Sequence, residues 1–159
     1  MLPIKKIVCP LDLSDLSPRV AEYAVAMARA FGSEVLVVYV APSVNQYAVL
    51  DVPPQSLEWF TEEISTNAVN HMGKVTTELF AGIKVETKIL SGNPAEEIIK
   101  VARENNADLI VMGTRGRKGV DLLVFGSVAD KVVKNSKIPV LTVHPAESQE
   151  PPVVAPFSV

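Results

Sequence analysis

Apolar residues recur along this chain in two alternating rhythms. Residues 4–11, 34–40 and 109–113 are nearly continuous apolar runs rich in β-branched side chains, the pattern of strands buried on both faces. Residues 85–90 and 138–143 read as two further strands. Between the runs the apolar positions step by three and four, the helical period. Ala21, Ala24, Val25, Ala28 and Phe31 follow that step. Ser17 is the predicted N-cap of this first helix, Pro18 its first residue and Gly32 its end. Leu57, Phe60, Ile64, Ala68, Met72, Val75 and Leu79 mark a long amphipathic helix over residues 56–80, with Trp59 beside the stripe. Asn93 and Pro94 supply the cap and first residue of a third helix. Residues 128–136 form a short fourth, opened by Gly126 and Ser127. Residues 41–55, with Pro42, Asn45, Asp51, Pro53 and Pro54, fit neither rhythm and read as an excursion loop.

Strands alternating with helices imply parallel pairing, right-handed crossovers and helices on both faces of one sheet. The predicted fold is a single doubly wound α/β domain over residues 1–146, followed by an extended, proline-rich tail over residues 147–159. A chain of 159 residues with 48% apolar content buries roughly two thirds of its unfolded surface around one core. No apolar run approaches the roughly 20 residues of a membrane-spanning helix, and the opening MLPIKKIVCPLD lacks the three-part pattern of a secretory signal. The expected location is the cytoplasm, with no membrane partner. A net charge of −3 offers no general attraction to a phosphate backbone, so nucleic acid is not an expected partner either. The single cysteine, Cys9, sits inside an apolar run and reads as a buried small hydrophobe.

In an open parallel sheet, ligands sit beyond the carboxyl ends of the strands where strand order reverses. Two chemically unusual segments are expected there. One is PLDLS, residues 10–14; the other is GTRGRKGVDLLVFGS, residues 113–127. Gly113, Gly116 and Gly119 let backbone N–H groups approach a phosphate because no Cβ intrudes. Gly126 and Ser127 open a helix whose first N–H groups and partial positive charge favour an anion. Arg115, Arg117 and Lys118 add charge in an otherwise acidic protein. The alternative is that the glycines shape a surface turn and the bases are solvated. Asp12 is placed to accept from a ribose hydroxyl or to hold a phosphate-bound Mg²⁺ through water; it is equally placed to form an Asx turn or cap the next helix. Neither GxxxxGK[ST] nor a GxGxxG after the first strand is present. His71, on or beside the stripe of the long helix, reads as packed; His144, after the last strand, reads as lying away from the crevice, at an edge or in solvent.

Gly113, Gly116, Gly126 and Ser127 stand at the spacing G-x2-G-x9-G-[ST]. In that motif, and in the segments IKKIVCPLDLS, VVYV, SGNPAEEI and ADLIVMGTRGRKG through to IPVLTV, the chain resembles the universal stress protein family and its ATP-binding members. The resemblance implies a five-stranded sheet in the order 3-2-1-4-5 with ATP between the first and fourth strand ends. It places Pro10 and Asp12 near adenosine and Val40 in the adenine pocket. It sets Gly113, Thr114, Arg115, Gly116, Arg117, Lys118 and Gly119, with Gly126, Ser127, Val128 and Ala129, around the phosphates and ribose. It also implies a homodimer paired through residues 138–143. Hydrolysis needs an oriented water, a base and charge neutralisation, and the motif supplies only the last. The expected protein is a nucleotide-responsive regulatory module with slow or absent turnover. Its rivals are a weak Mg²⁺-dependent ATPase or phosphoryl or nucleotidyl transferase, and an interaction module that works without nucleotide.

Overall fold

The computed structural model describes residues 2–41, 43, 53–114 and 126–145. Five strands carry the alternating pattern: β1 (Lys6–Pro10), β2 (Glu34–Ala41), β3 (Val85–Ser91), β4 (Leu109–Gly113) and β5 (Val140–Val143). Between them run α1 (Ser17–Phe31), α2 (Pro54–Leu79), α3 (Pro94–Glu104) and α4 (Ser127–Asn135). All four strand pairings are parallel, and the order is β3-β2-β1-β4-β5, a doubly wound α/β sheet. Sequence order reverses between β1 and β4, which pair through Ile7 with Leu109 and Val8 with Ile110.

The continuous apolar runs follow from this layering. Ile7, Cys9, Val35, Val37 and Val111 face one layer, where they meet Val20, Ala24 and Ala28 of α1 and Ala68 and Met72 of α2. Their neighbours Val8, Leu36, Val38, Ile110 and Met112 face the other, against Ile98 and Ala102 of α3 and Val132 of α4. A central strand with both faces covered has no polar side to spare. Burial at Cys9 is complete, and loss of hydration pushes its thiol up to about 12, which fits an inert packing residue.

Helix ends follow local chemistry. Asn93 Oδ1 accepts from Glu96 N at 3.3 Å and caps α3, with Pro94 in its first turn. Gly32 takes the left-handed φ of 67° that ends α1, a conformation without cost only for glycine. Other expectations are corrected. Ser17 does not cap α1: it is helical, Leu16 holds the cap position without a side-chain bond, and the Ser17 hydroxyl donates to Asp12 instead. His71 is exposed rather than packed, because Ala68 and Met72 already carry the inward contacts of that turn. α2 begins at Pro54, inside the expected loop, since a proline is tolerated in a first turn whose N–H groups lack acceptors. β5 begins at Val140 rather than 138, because the Ser136 hydroxyl bonds both the N–H and the C=O of Ile138 and holds it in a turn. Among the described residues, no helix is long and apolar enough to cross a membrane. The proposed tail, residues 147–159, and positions 42 and 44–52 of the expected loop lie outside the described residues.

Candidate functional site

The carboxyl ends of β1, β2 and β4 open into one crevice, a cavity of about 290 Å³. It sits where helices on both faces of the sheet contribute walls. Leu16 and Val20 of the α1 side close one flank, and Pro94 and Ile98 of α3 close the other. The lining is mostly apolar, with Asp12, Ser17, Tyr39, Thr114 and Ser127 as the residues that carry polar side-chain groups. That mixture, an apolar slot with a few convergent polar groups, is the usual form of a small-molecule site.

Asp12 stands at the exit of β1. Its Oδ1 accepts from Ser14 N at 3.0 Å and from the Ser17 hydroxyl at 3.2 Å. The local turn expected of an aspartate is therefore present, and the same side chain lines the crevice. Both readings of Asp12 describe one geometry: Oδ1 is held by the turn, and the carboxylate stands at the cavity wall.

On the opposite side, α4 begins at Ser127. Its cap residue is Gly126, with no side-chain cap bond, and the first helical acceptor is Gly126 O, bonded by Asp130 N at 3.0 Å. The N–H groups of Ser127, Val128 and Ala129 precede that first turn and have no intrahelical acceptor. All three residues line the crevice, so the positive end of the α4 dipole lies at its wall.

Thr114 joins these parts. Only 2% exposed, it donates its backbone N–H to Val143 O at 3.0 Å and accepts from Gly126 N at 2.7 Å. One buried residue thus ties the end of β5 to the point where the chain returns into α4. Gly113, just before it, has a packing reason to lack a side chain. A Cβ there would stand 2.9 Å from Leu16 Cδ2 and 3.2 Å from Val20 Cγ2.

Of the residues singled out in the sequence, Pro10, Asp12, Val40, Gly113 and Thr114 line this cavity, as do Gly126, Ser127, Val128 and Ala129. Arg115, Gly116, Arg117, Lys118 and Gly119 lie outside the described residues. His144 is exposed, as expected, and is not among the residues that line the crevice, but it is closer than its place in the chain implies: its Nδ1 is 3.3 Å from Oγ1 of the crevice residue Thr114, and its carbonyl accepts from Arg19 Nε at 2.8 Å. Parallel register is the reason: Gly113 pairs with Val143, which sets the residue after each side by side. The sequence reading also passed over Leu16, Ser17, Val20 and Pro94 as walls. Pro94, first in a capped helix after a strand, carried the clearest signal for it.

The model of the universal stress protein family matches residues 3–144. A universal stress protein of Methanocaldococcus jannaschii, MJ0531, is 40% identical over 143 residues, spanning 87% of this chain and 81% of that protein. Among solved structures, MJ0577, a universal stress protein of the same organism, superposes with a TM-score of 0.81 at 29% identity, covering 92% of this chain and 100% of that one. A universal stress protein from Archaeoglobus fulgidus, solved in complex with dAMP, gives a TM-score of 0.56 at 28% identity over 89% of this chain and 98% of that one.

Proposed function

Because this chain belongs to the universal stress protein family, we propose that it binds an adenine nucleotide, ATP in the first instance, in the crevice between β1 and β4, and that occupancy changes what the molecule presents to partners. The observation that carries the proposal is the pairing, on one cavity, of an apolar slot with the uncapped amino end of α4. A nucleotide has the same two halves: a flat apolar base and a chain of anionic oxygens. The cavity volume of about 290 Å³ falls just below the usual range of ligand pockets, roughly 300–1,000 Å³. The dAMP complex of the Archaeoglobus fulgidus relative supports an adenine ligand.

In this reading Val40 borders the base, and Pro10 and Asp12 border the ribose. Gly113, Thr114, Gly126, Ser127, Val128 and Ala129 surround the phosphates, joined by residues 115–119 through their motif. Asp12 is placed for a ribose hydroxyl or, through water, a phosphate-bound Mg²⁺; such an ion would neutralise phosphate charge. Turnover is slow or absent, since binding and charge neutralisation leave the attacking water without a base. A second copy pairs along β5, the last strand of the sheet among the described residues.

The test begins with gentle purification, denaturation and chromatography of the released small molecules against ATP, ADP and AMP, followed by titration with ATP and Mg²⁺. Recovered or titratable adenine nucleotide, lost in Gly116→Val, is the expected result. Absence of binding at millimolar ATP would refute the proposal and favour an interaction module that needs no nucleotide. Steady phosphate release abolished by Asp12→Ala would move the protein to the weak ATPases.

A further inference from the structure

Two described residues other than glycine have a positive φ: Asn106 at 51° and Leu13 at 60°. At Asn106 the short amide side chain tolerates the left-handed region. At Leu13 the same region carries a steric cost that glycine would not bear. Leu13 occupies the position directly after Asp12, which lines the crevice.

The surrounding bonds show what this conformation achieves. It reverses the chain within a few residues of the end of β1, so that Ser14 N reaches Asp12 Oδ1 at 3.0 Å and Ser17 N reaches Ser14 O at 3.0 Å. The Ser17 hydroxyl closes the loop onto the same Asp12 oxygen at 3.2 Å. Meanwhile the Leu13 side chain is partly buried against the core beneath α1 and α2. Leu16, three residues on, places Cδ2 in the space left by the missing side chain of Gly113. The turn that carries Asp12 is therefore held by an apolar side chain on each side, and its shape depends on a backbone conformation that few residues adopt.

We propose that Leu13 is a positioning residue of the crevice: its left-handed backbone, rather than the packing of its side chain, fixes the Asp12 carboxylate at the cavity wall, in the orientation the ligand meets. This rests on the reading of Asp12 as a ligand-contacting carboxylate. Leu13 touches no ligand in the proposal and acts through Asp12 alone. The alternative for the same facts is that Leu13 only fills space, with its backbone following from its packing.

Two substitutions separate these accounts. Leu13→Gly keeps the left-handed turn accessible but removes the anchor. Leu13→Val keeps an apolar side chain but is β-branched, and therefore the poorer fit to a positive φ. If the turn sets affinity through Asp12, ATP binding by full-length protein, measured by calorimetry, weakens more in Leu13→Val than in Leu13→Gly, by about tenfold for the valine. In an Asp12→Ala background neither change has a further effect. Circular dichroism and thermal melts check folding; if the valine variant does not fold, Leu13→Gly alone decides, with ATP affinity expected to be retained and a loss of about tenfold assigning the effect to packing. A larger loss in Leu13→Gly than in Leu13→Val overturns the proposal in favour of packing. So does a loss of equal size with and without Asp12. If Asp12→Ala alone leaves ATP affinity unchanged, the role of Asp12 and this inference fall together, while ATP binding by the unaltered protein continues to stand on its own titration.

Discussion

Replacing Ser127 by aspartate applies two forces of opposite sign at one position. Ser127 is the first residue of α4, its side chain is exposed, and the helix has no side-chain cap. The acidic residue already in the first turn is Asp130. A carboxylate at position 127 would face the free N–H groups and the positive dipole end, a gain of about 0.3–1 kcal/mol. For a chain of this size that raises Tm by about 1–4 °C. The same carboxylate would stand where the proposed phosphates bind. Like charges about 4 Å apart repel by about 1 kcal/mol in bulk water and about 4 kcal/mol at a typical protein surface. Loss of the hydroxyl donor adds about 1 kcal/mol. The sum, about 2–5 kcal/mol, weakens ATP by roughly thirtyfold at the least. Adenosine, which has no phosphate, should bind within about twofold of its affinity for the unaltered protein, because the added charge meets nothing charged on it. Thermal melts with calorimetric titrations of ATP and adenosine read all three quantities. An unchanged ATP affinity in a stabilised variant would refute a phosphate site at α4, and equal losses for ATP and adenosine would show a general distortion instead.

Other consequences are open to direct measurement. Gly113→Val should destabilise the fold by about 1–3 kcal/mol in urea denaturation, since even its Cβ meets Leu16 and Val20; undiminished stability would mean that α1 retreats freely. The Cys9 thiol, completely buried and raised to about 12, should resist iodoacetamide at pH 8 and react only as fast as the protein unfolds. Its raised pKa stabilises the fold below the thiol's ordinary range, and that contribution is lost as pH climbs from about 9 towards 12; rapid labelling of folded protein at pH 8 would contradict the burial. Glu34 is held below its ordinary range by its hydrogen bond from Lys84 and then by Lys6, with Nζ atoms at 2.7 and 3.1 Å. A lowered carboxylate adds stability above its unfolded pKa and loses it as pH falls through its folded one. Glu34→Gln should therefore flatten the acid side of the stability profile slightly, and an unaltered acid limb would count against the pairing.

How far the chain could be read without its fold varies by element. The strands were legible because burial on both faces leaves an unbroken apolar run, and Asn93-Pro94 and Gly32 were legible because caps are local chemistry. Residues 10–12, 113–114 and 126–129 could be placed at one crevice from the sequence because parallel strands carry their loops to one edge of the sheet. Three things were not legible. Ser17 had the identity of a cap, but a carboxylate five residues earlier claimed its hydroxyl. His144 appeared remote because its nearness to Thr114 arises from the register of β4 and β5, a relation between residues 30 apart in the chain. Gly113 has its glycine partly for Leu16 and Val20, contacts that exist only when α1 lies across β4. The sequence by itself determined what depends on periodicity and on neighbours within a turn or two: the elements, their layering and the edge at which chemistry collects. Tertiary structure alone decided which polar atoms found each other, because a hydrogen bond goes to whatever partner the packed chain brings within about 3 Å, and no local pattern encodes that distance.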